Sequence, residues 1–228
     1  SNGNVDFVHI NPDKRTTLEL RRKYYSSENV VNMHNRLVGG IIQASNNSSF
    51  INCDTILSIK SADIPDKNDV LTENKYRYWR YYSPKGSYGN IAELAFYDKD
   101  STQIFGRIIS SDTDSLNLYK VFDNDWLSFF DSYIPDGNWI GLDFSKPVSI
   151  SHIRIVPRGD DNDIHPGDEY HLRMWDGHYW VTVDKQTAVG NSITYRNIID
   201  GCLYSIHDAT RGWDERPFIY RDGTFEWW

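Results

Sequence analysis

Tyr76-Arg77-Tyr78-Trp79-Arg80-Tyr81-Tyr82 is the run on which the reading of the fold turns. Every member is aromatic or arginine. Aromatic side chains lose rotamer freedom in a helix but pack well on a pleated surface, so the run reads as a strand. Ser83-Pro84-Lys85-Gly86 then ends it with turn residues. Side chains alternate across a strand. Tyr76, Tyr78 and Arg80 are therefore expected on one face, and Arg77, Trp79 and Tyr81 on the other.

Working outward, the same pattern recurs at short intervals. Thr16-Thr17-Leu18-Glu19-Leu20 alternates, and Val5-Asp6-Phe7-Val8-His9-Ile10 is mostly apolar. Downstream come Trp139-Ile140-Gly141-Leu142-Asp143-Phe144, Ile153-Arg154-Ile155-Val156 and Tyr170-His171-Leu172-Arg173-Met174-Trp175. Asp176-Gly177 follows the last as a tight-turn signal. The terminal Phe225-Glu226-Trp227-Trp228 reads as a strand that closes a sheet. Residues 27–34 offer the best helix, of little more than two turns. Many short strands joined by polar turns predict an all-β sandwich.

Composition agrees. Aromatic residues make up 14% of the 228, and Ala, Leu and Met are scarce. The formal net charge of -8 argues against nucleic acid and anionic membrane as partners. No apolar run reaches the roughly 18 residues of a membrane span. Ser1-Asn2-Gly3-Asn4 lacks the basic and apolar parts of a secretory leader. Cys53 and Cys202 both sit in strand-like runs and read as buried free thiols.

An internal repeat sets the expected domains. A Gly-led strand near residues 39–45, the strand at residues 76–82 and a Glu-bearing strand at residues 89–97 form one copy. Residues 167–172, 202–206 and 212–220 form the other. The division is expected near Asp98-Lys99-Asp100-Ser101-Thr102. It gives a reduced unit at residues 1–100 and a complete one at residues 101–228.

The second half resembles the discoidin family, also called the coagulation-factor C-type domain, whose bacterial branch includes family 32 carbohydrate-binding modules. The resemblance rests on Val121-Phe122-Asp123-Asn124-Asp125-Trp126-Leu127-Ser128-Phe129-Phe130, on the strand at residues 139–144 and on residues 150–158. It covers most of residues 106–228 and, more weakly, residues 38–97. Asn124, Ser128 and Phe130 depart from the family's Gly, Thr and Trp. The likeness implies a discoidin-like jelly-roll β-sandwich, found in tandem in surface or secreted proteins of gut bacteria.

Calcium takes six to eight oxygens, and Asp123, Asp125 and Ser128 offer them from one short loop. The resemblance adds nearby carbonyls and Glu215 from the closing strand, around a structural ion. No equivalent ion is expected in the first unit, although Glu93 stands there. The other reading of this loop is an acidic turn capped by its own aspartates.

Sugar recognition needs planar polar groups and an aromatic face. Arg158, Asp160, Asn162 and His165 can supply the first. Trp126, Trp213 or Trp175 can supply the second, with Arg211 beside Trp213. Against this stands a loop in which Arg158 neutralises its own aspartates. No nucleophile elbow, phosphate-cradling loop or paired-histidine helix motif is present. The expectation is a non-catalytic carbohydrate-binding or adhesion region at an extracellular or bacterial cell-surface location. It would bind glycan or glycoprotein, as part of a larger parent chain with a catalytic domain. The alternative is a protein-interaction module that uses the same loops.

Overall fold

The computed structural model describes residues 10–23, 28–65, 67–112 and 116–228. Of the strand expected over residues 5–10, only Ile10 is described, and it is irregular and exposed; the rest lies outside the described residues. The chain is nearly all β and divides into two compact units. One, the inserted unit, is Glu28–Asp161. The other, the flanking unit, is made of Ser1–Ser27 and Asn162–Trp228. No helix is long and apolar enough to cross a membrane.

In chain order the strands begin with β1 (Arg15–Leu20) of the flanking unit, and helix α1 (Glu28–Asn35) opens the inserted unit. Then come β2 (Ile41–Ser45), β3 (Asp54–Ser58), β4 (Asn68–Asp69), β5 (Tyr76–Tyr82), β6 (Ile91–Tyr97), β7 (Gln103–Ile104), β8 (Arg107–Ser110), β9 (Trp139–Val148) and β10 (His152–Pro157). The flanking unit resumes with β11 (Glu169–Trp175), β12 (Trp180–Thr187), β13 (Ile193–Ile199), β14 (Leu203–Asp208), β15 (Trp213–Asp214), β16 (Phe218–Arg221) and β17 (Thr224–Trp227).

The inserted unit is a sandwich of two antiparallel sheets, ordered β3-β2-β5-β9-β8 and β4-β10-β6-β7. Between them lie Ile42, Trp79, Tyr81, Ile140 and Leu142 from the first, and Leu94, Phe96, Ile153 and Ile155 from the second. Burying a large apolar side chain stabilises by about 1.5–3 kcal/mol, so this cluster carries the unit. Gly141 makes the pairing of β5 with β9 possible: a Cβ there would stand 2.0 Å from the Trp79 carbonyl oxygen. The alternation expected along β5 holds for Trp79 and Tyr81 inward. It breaks at Tyr76: the register of β5 on β9 shifts between Tyr76 and Tyr78, and the Tyr76 ring packs on Trp79 in the core. Arg77 is correspondingly not a core-face residue; it binds Asp143 through Nε at 2.7 Å and Nη2 at 3.0 Å.

In the flanking unit a six-stranded sheet, β12-β11-β14-β16-β17 with β15 also on β14, faces the two-stranded β1-β13 ribbon. Leu18, Leu20, Ile193 and Tyr195 of the ribbon pack with Tyr170, Leu172, Tyr204, Ile206 and Phe218 of the sheet. β17 closes the sheet as its aromatics suggested, with Phe225 and Trp227 against Phe218. Where the flanking unit is interrupted, its two chain segments meet: the Lys23 amide donates to the Asn162 carbonyl at 2.8 Å.

The expected domains are therefore replaced. Residues 98–102 form the tight turn between β6 and β7, inside the inserted unit. Residues 101–228 are not one unit, because β8 and β9 extend the sheet begun by β2 and β5, and β10 pairs with β4 and β6. The repeat survives as a local likeness: β2 pairs with β5 in one unit as β11 pairs with β14 in the other. Cys202 is buried and free as expected, whereas Cys53 is free but only partly buried.

Candidate functional site

The acidic loop follows a short 3-10 turn, Leu118–Val121, in the inserted unit. Asn124 adopts φ +60°, the left-handed conformation that Gly and Asn tolerate best, and so suits the turn. Asp123 accepts the Asp125 amide at 2.9 Å through Oδ1 and the Ser128 hydroxyl at 2.9 Å through Oδ2. Asp125 accepts the Leu127 amide at 3.0 Å.

Glu93 of β6 is fully buried against this loop. Its Oε2 accepts the Asn124 amide at 2.8 Å, and its Oε1 has no hydrogen-bond partner. Burial pushes the Glu93 carboxyl up to about 8, with the charges of Asp123 and Asp125 acting in the same direction. The Asn124 amide and Arg154 oppose them. An orphaned carboxylate oxygen beside two further carboxylates and a hydroxyl is a donor set suited to a hard cation. It is not preformed as a cage: among the described residues, no group of three or more His, Cys, Asp or Glu could hold a metal.

Two sequence expectations change here. Glu215 lies in the flanking unit, with a carboxylate oxygen 3.6 Å from Lys23 Nζ. Glu93, expected to stand without a loop, is the residue that meets it. Trp126 is also no open platform, being buried with Ala92 and Val156.

Arg158, at the end of β10, is held from three sides. It pairs with Asp131 and, at 2.5 Å, with Asp160, and its guanidinium lies 3.8 Å from the Phe129 ring centroid. Asn90 fastens Asp131 from the far side at 2.9 Å. Asp160 and Asp161 turn the chain at φ 48° and 67°. Arg158 and Asp160 are thus brought together, while Asn162 and His165 belong to the other unit.

In the flanking unit Arg211 donates to Asp168 at 2.6 Å through Nε and to His165 Nδ1 at 2.6 Å through Nη2. A guanidinium only donates, so His165 Nδ1 accepts. The Arg211 amide also donates to buried Asp208 at 2.9 Å. Two residues on, Trp213 is 52% exposed on β15, with Lys23 Nζ 5.9 Å from its ring centroid. Asn162, His165, Arg211 and Trp213 are therefore the expected binding residues that fall in the flanking unit, and hydrogen bonding joins Arg211 to His165.

Asp131, Asp168, Asp208, Phe129 and Glu93 were missed as partners. Only Asp208 carried a local signal, three residues before Arg211. Compared with known proteins, the chain matches no protein-family model, no curated protein and no solved structure.

Proposed function

We propose that the chain is a non-catalytic carbohydrate-binding or adhesion region of a bacterial surface or secreted protein, with glycan or glycoprotein as its partner. The observation that supports this most is Trp213. An indole more than half exposed, beside an arginine already oriented by Asp168 and His165, offers a stacking face and a fixed donor. Arg158, which is doubly paired and stacked on Phe129, reads better as a loop fastener than as a free donor. The proposed contact set is therefore Trp213 and the more exposed Arg211, with buried His165 orienting Arg211 and with Arg158 and Asp160 in support of their own loop.

Calcium belongs to the same proposal, at the acidic loop. Asp123, Ser128 and Glu93 would hold it, with Asp125 keeping the loop closed. When bound it supplies positive charge to the buried Glu93 and ties the loop to β6. The chain contributes no reacting group in this reading.

A glycan array with the wild-type chain and Trp213→Ala tests the binding site. Specific signals lost by about tenfold or more in the variant, at unchanged melting temperature, are expected. Saturable binding to a protein with no glycan signal would move the reading to a protein-interaction module. Turnover of any glycoside would refute the absence of catalysis.

A further inference from the structure

We infer that His171 and His207 form a surface site for one divalent transition-metal ion, on the outer face of the flanking unit's six-stranded sheet. The two residues are register partners on adjacent antiparallel strands, β11 and β14. Their ring centroids are 5.7 Å apart. With metal–nitrogen bonds of about 2.0–2.1 Å and a tetrahedral angle, two imidazole centroids on one ion stand roughly 5.4 Å apart. The sheet thus holds the rings at a spacing compatible with a shared ion.

Each ring is oriented by a carboxylate on its other nitrogen. His171 Nε2 lies 2.5 Å from Glu169 Oε1, two residues away on the same face of β11. His207 Nδ1 lies 2.7 Å from Asp214 Oδ1, its register partner on β15. Arg173 Nη1 donates to that Asp214 oxygen at 2.8 Å and fixes it. A metal-ligating histidine characteristically donates its remaining ring N–H to a carboxylate, which sets the tautomer and raises the basicity of the free nitrogen. Here that arrangement occurs twice, side by side. It leaves His171 Nδ1 and His207 Nε2 as the two ligating atoms, and neither has a hydrogen-bond partner among the described residues.

Charge does not oppose the ion. Lys185 faces His171 across β12, and Arg173 faces Asp214, but Glu169 and Asp214 offset them. The side chains of His171 and His207 are 14% and 21% exposed, so solvent reaches the site and water would complete the coordination. Two imidazoles favour Zn2+, Ni2+ or Cu2+ and disfavour calcium, which takes oxygen ligands. The site is therefore distinct in chemistry and place from the acidic loop.

Calorimetric titration of the chelator-stripped full chain with Zn2+, repeated with Ni2+, tests the assignment. One ion per chain is expected. His171→Ala and His207→Ala should each weaken binding by about tenfold or more, as should Asp214→Asn through loss of ring orientation. His171→Gln and His207→Gln repeat the loss with less change of shape. His178→Ala, in the β11–β12 turn, and Glu93→Gln, at the acidic loop, should leave the titration unchanged. A wild-type chain that takes up no ion, or a His171→Ala/His207→Ala double variant that binds as tightly as wild type, overturns the site. The unchanged Glu93→Gln titration separates this result from the fate of the calcium proposal.

Discussion

Glu93→Gln is the substitution on which the calcium proposal stands or falls. In the metal-free chain, Glu93 is a buried carboxylate with one oxygen bonded to the Asn124 amide and the other bonded to nothing. Its displacement to about 8 corresponds to a penalty on the charged form of roughly 4–5 kcal/mol at most. Glutamine keeps an oxygen for the Asn124 amide and removes the charge. It also buries an NH2 that must find acceptors, which costs about 1–3 kcal/mol where none is found. The metal-free variant is therefore expected to be more stable than metal-free wild type, by on the order of 1–3 kcal/mol, at about pH 8.5 where the wild-type carboxylate is mostly ionised.

Calcium should narrow or invert that order. A ligand that binds only the folded state stabilises it by about 2.7 kcal/mol at a hundred times its Kd. For a unit of this size that is a rise in Tm of about 5–10 °C. Wild type should gain it, and Glu93→Gln should not. Scanning calorimetry of both chains in chelator and in excess calcium reads all four states. The reasoning is refuted if calcium leaves wild type unmoved, or if Glu93→Gln is the less stable chain in both conditions. In the second case Glu93 would be a structural acceptor, and the loop a self-capped acidic turn.

Asp143 should govern the acid side of the stability curve. The Arg77 guanidinium, with the Ser145 amide and Arg107 assisting, holds its carboxyl below the usual carboxylate range against the opposing effect of burial. A depressed folded-state value gives stability that is complete above about pH 4 and is lost as pH falls below it. Asp143→Asn should flatten that acid limb in a pH series of melts; an unaltered limb would count against the ion pair. Gly141→Ala should cost about 4 kcal/mol or more, or prevent folding, because its Cβ would overlap the Trp79 carbonyl. A normal melting temperature would show that β5 and β9 can part. The excised segment of residues 28–161 should melt cooperatively, since its core cluster is drawn wholly from within it; a chain without a transition would refute its independence.

Much of the fold was legible because it is local. Alternation, turn residues and aromatic runs located β1, β5, β9, β10, β11 and β17 to within a few residues, and α1 as well. The misplaced Tyr76 shows the limit. The pairing with β9 loses its regular register between Tyr76 and Tyr78, and nothing in residues 76–82 alone announces it. The candidate site was legible where its residues are neighbours in sequence, as in Asp123, Asp125 and Ser128. It was not legible where a partner comes from afar: Asp131 for Arg158, or Asp168 for Arg211.

Glu93 and Glu215 show why distance along the chain misled. Both sit on Glu-bearing strands, and the resemblance assigned the later one to the acidic loop. Antiparallel sheets carry no fixed chain order, since a strand pairs with whatever neighbour the sandwich presents, earlier or later in the chain. In the inserted unit the Glu-bearing strand is β6, which precedes the loop by about thirty residues and is hydrogen-bonded to β10, which follows it. The loop is thus closed by a strand already laid down before it. The same reversal displaced the domain boundary, because β2 to β7 read as a unit of their own only while β8, β9 and β10 are assigned elsewhere. Once Glu93 is placed under Asn124, residues 121–130, β6 and β10 belong to one sandwich. Glu215 stands with Lys23, on the unit that carries Trp213.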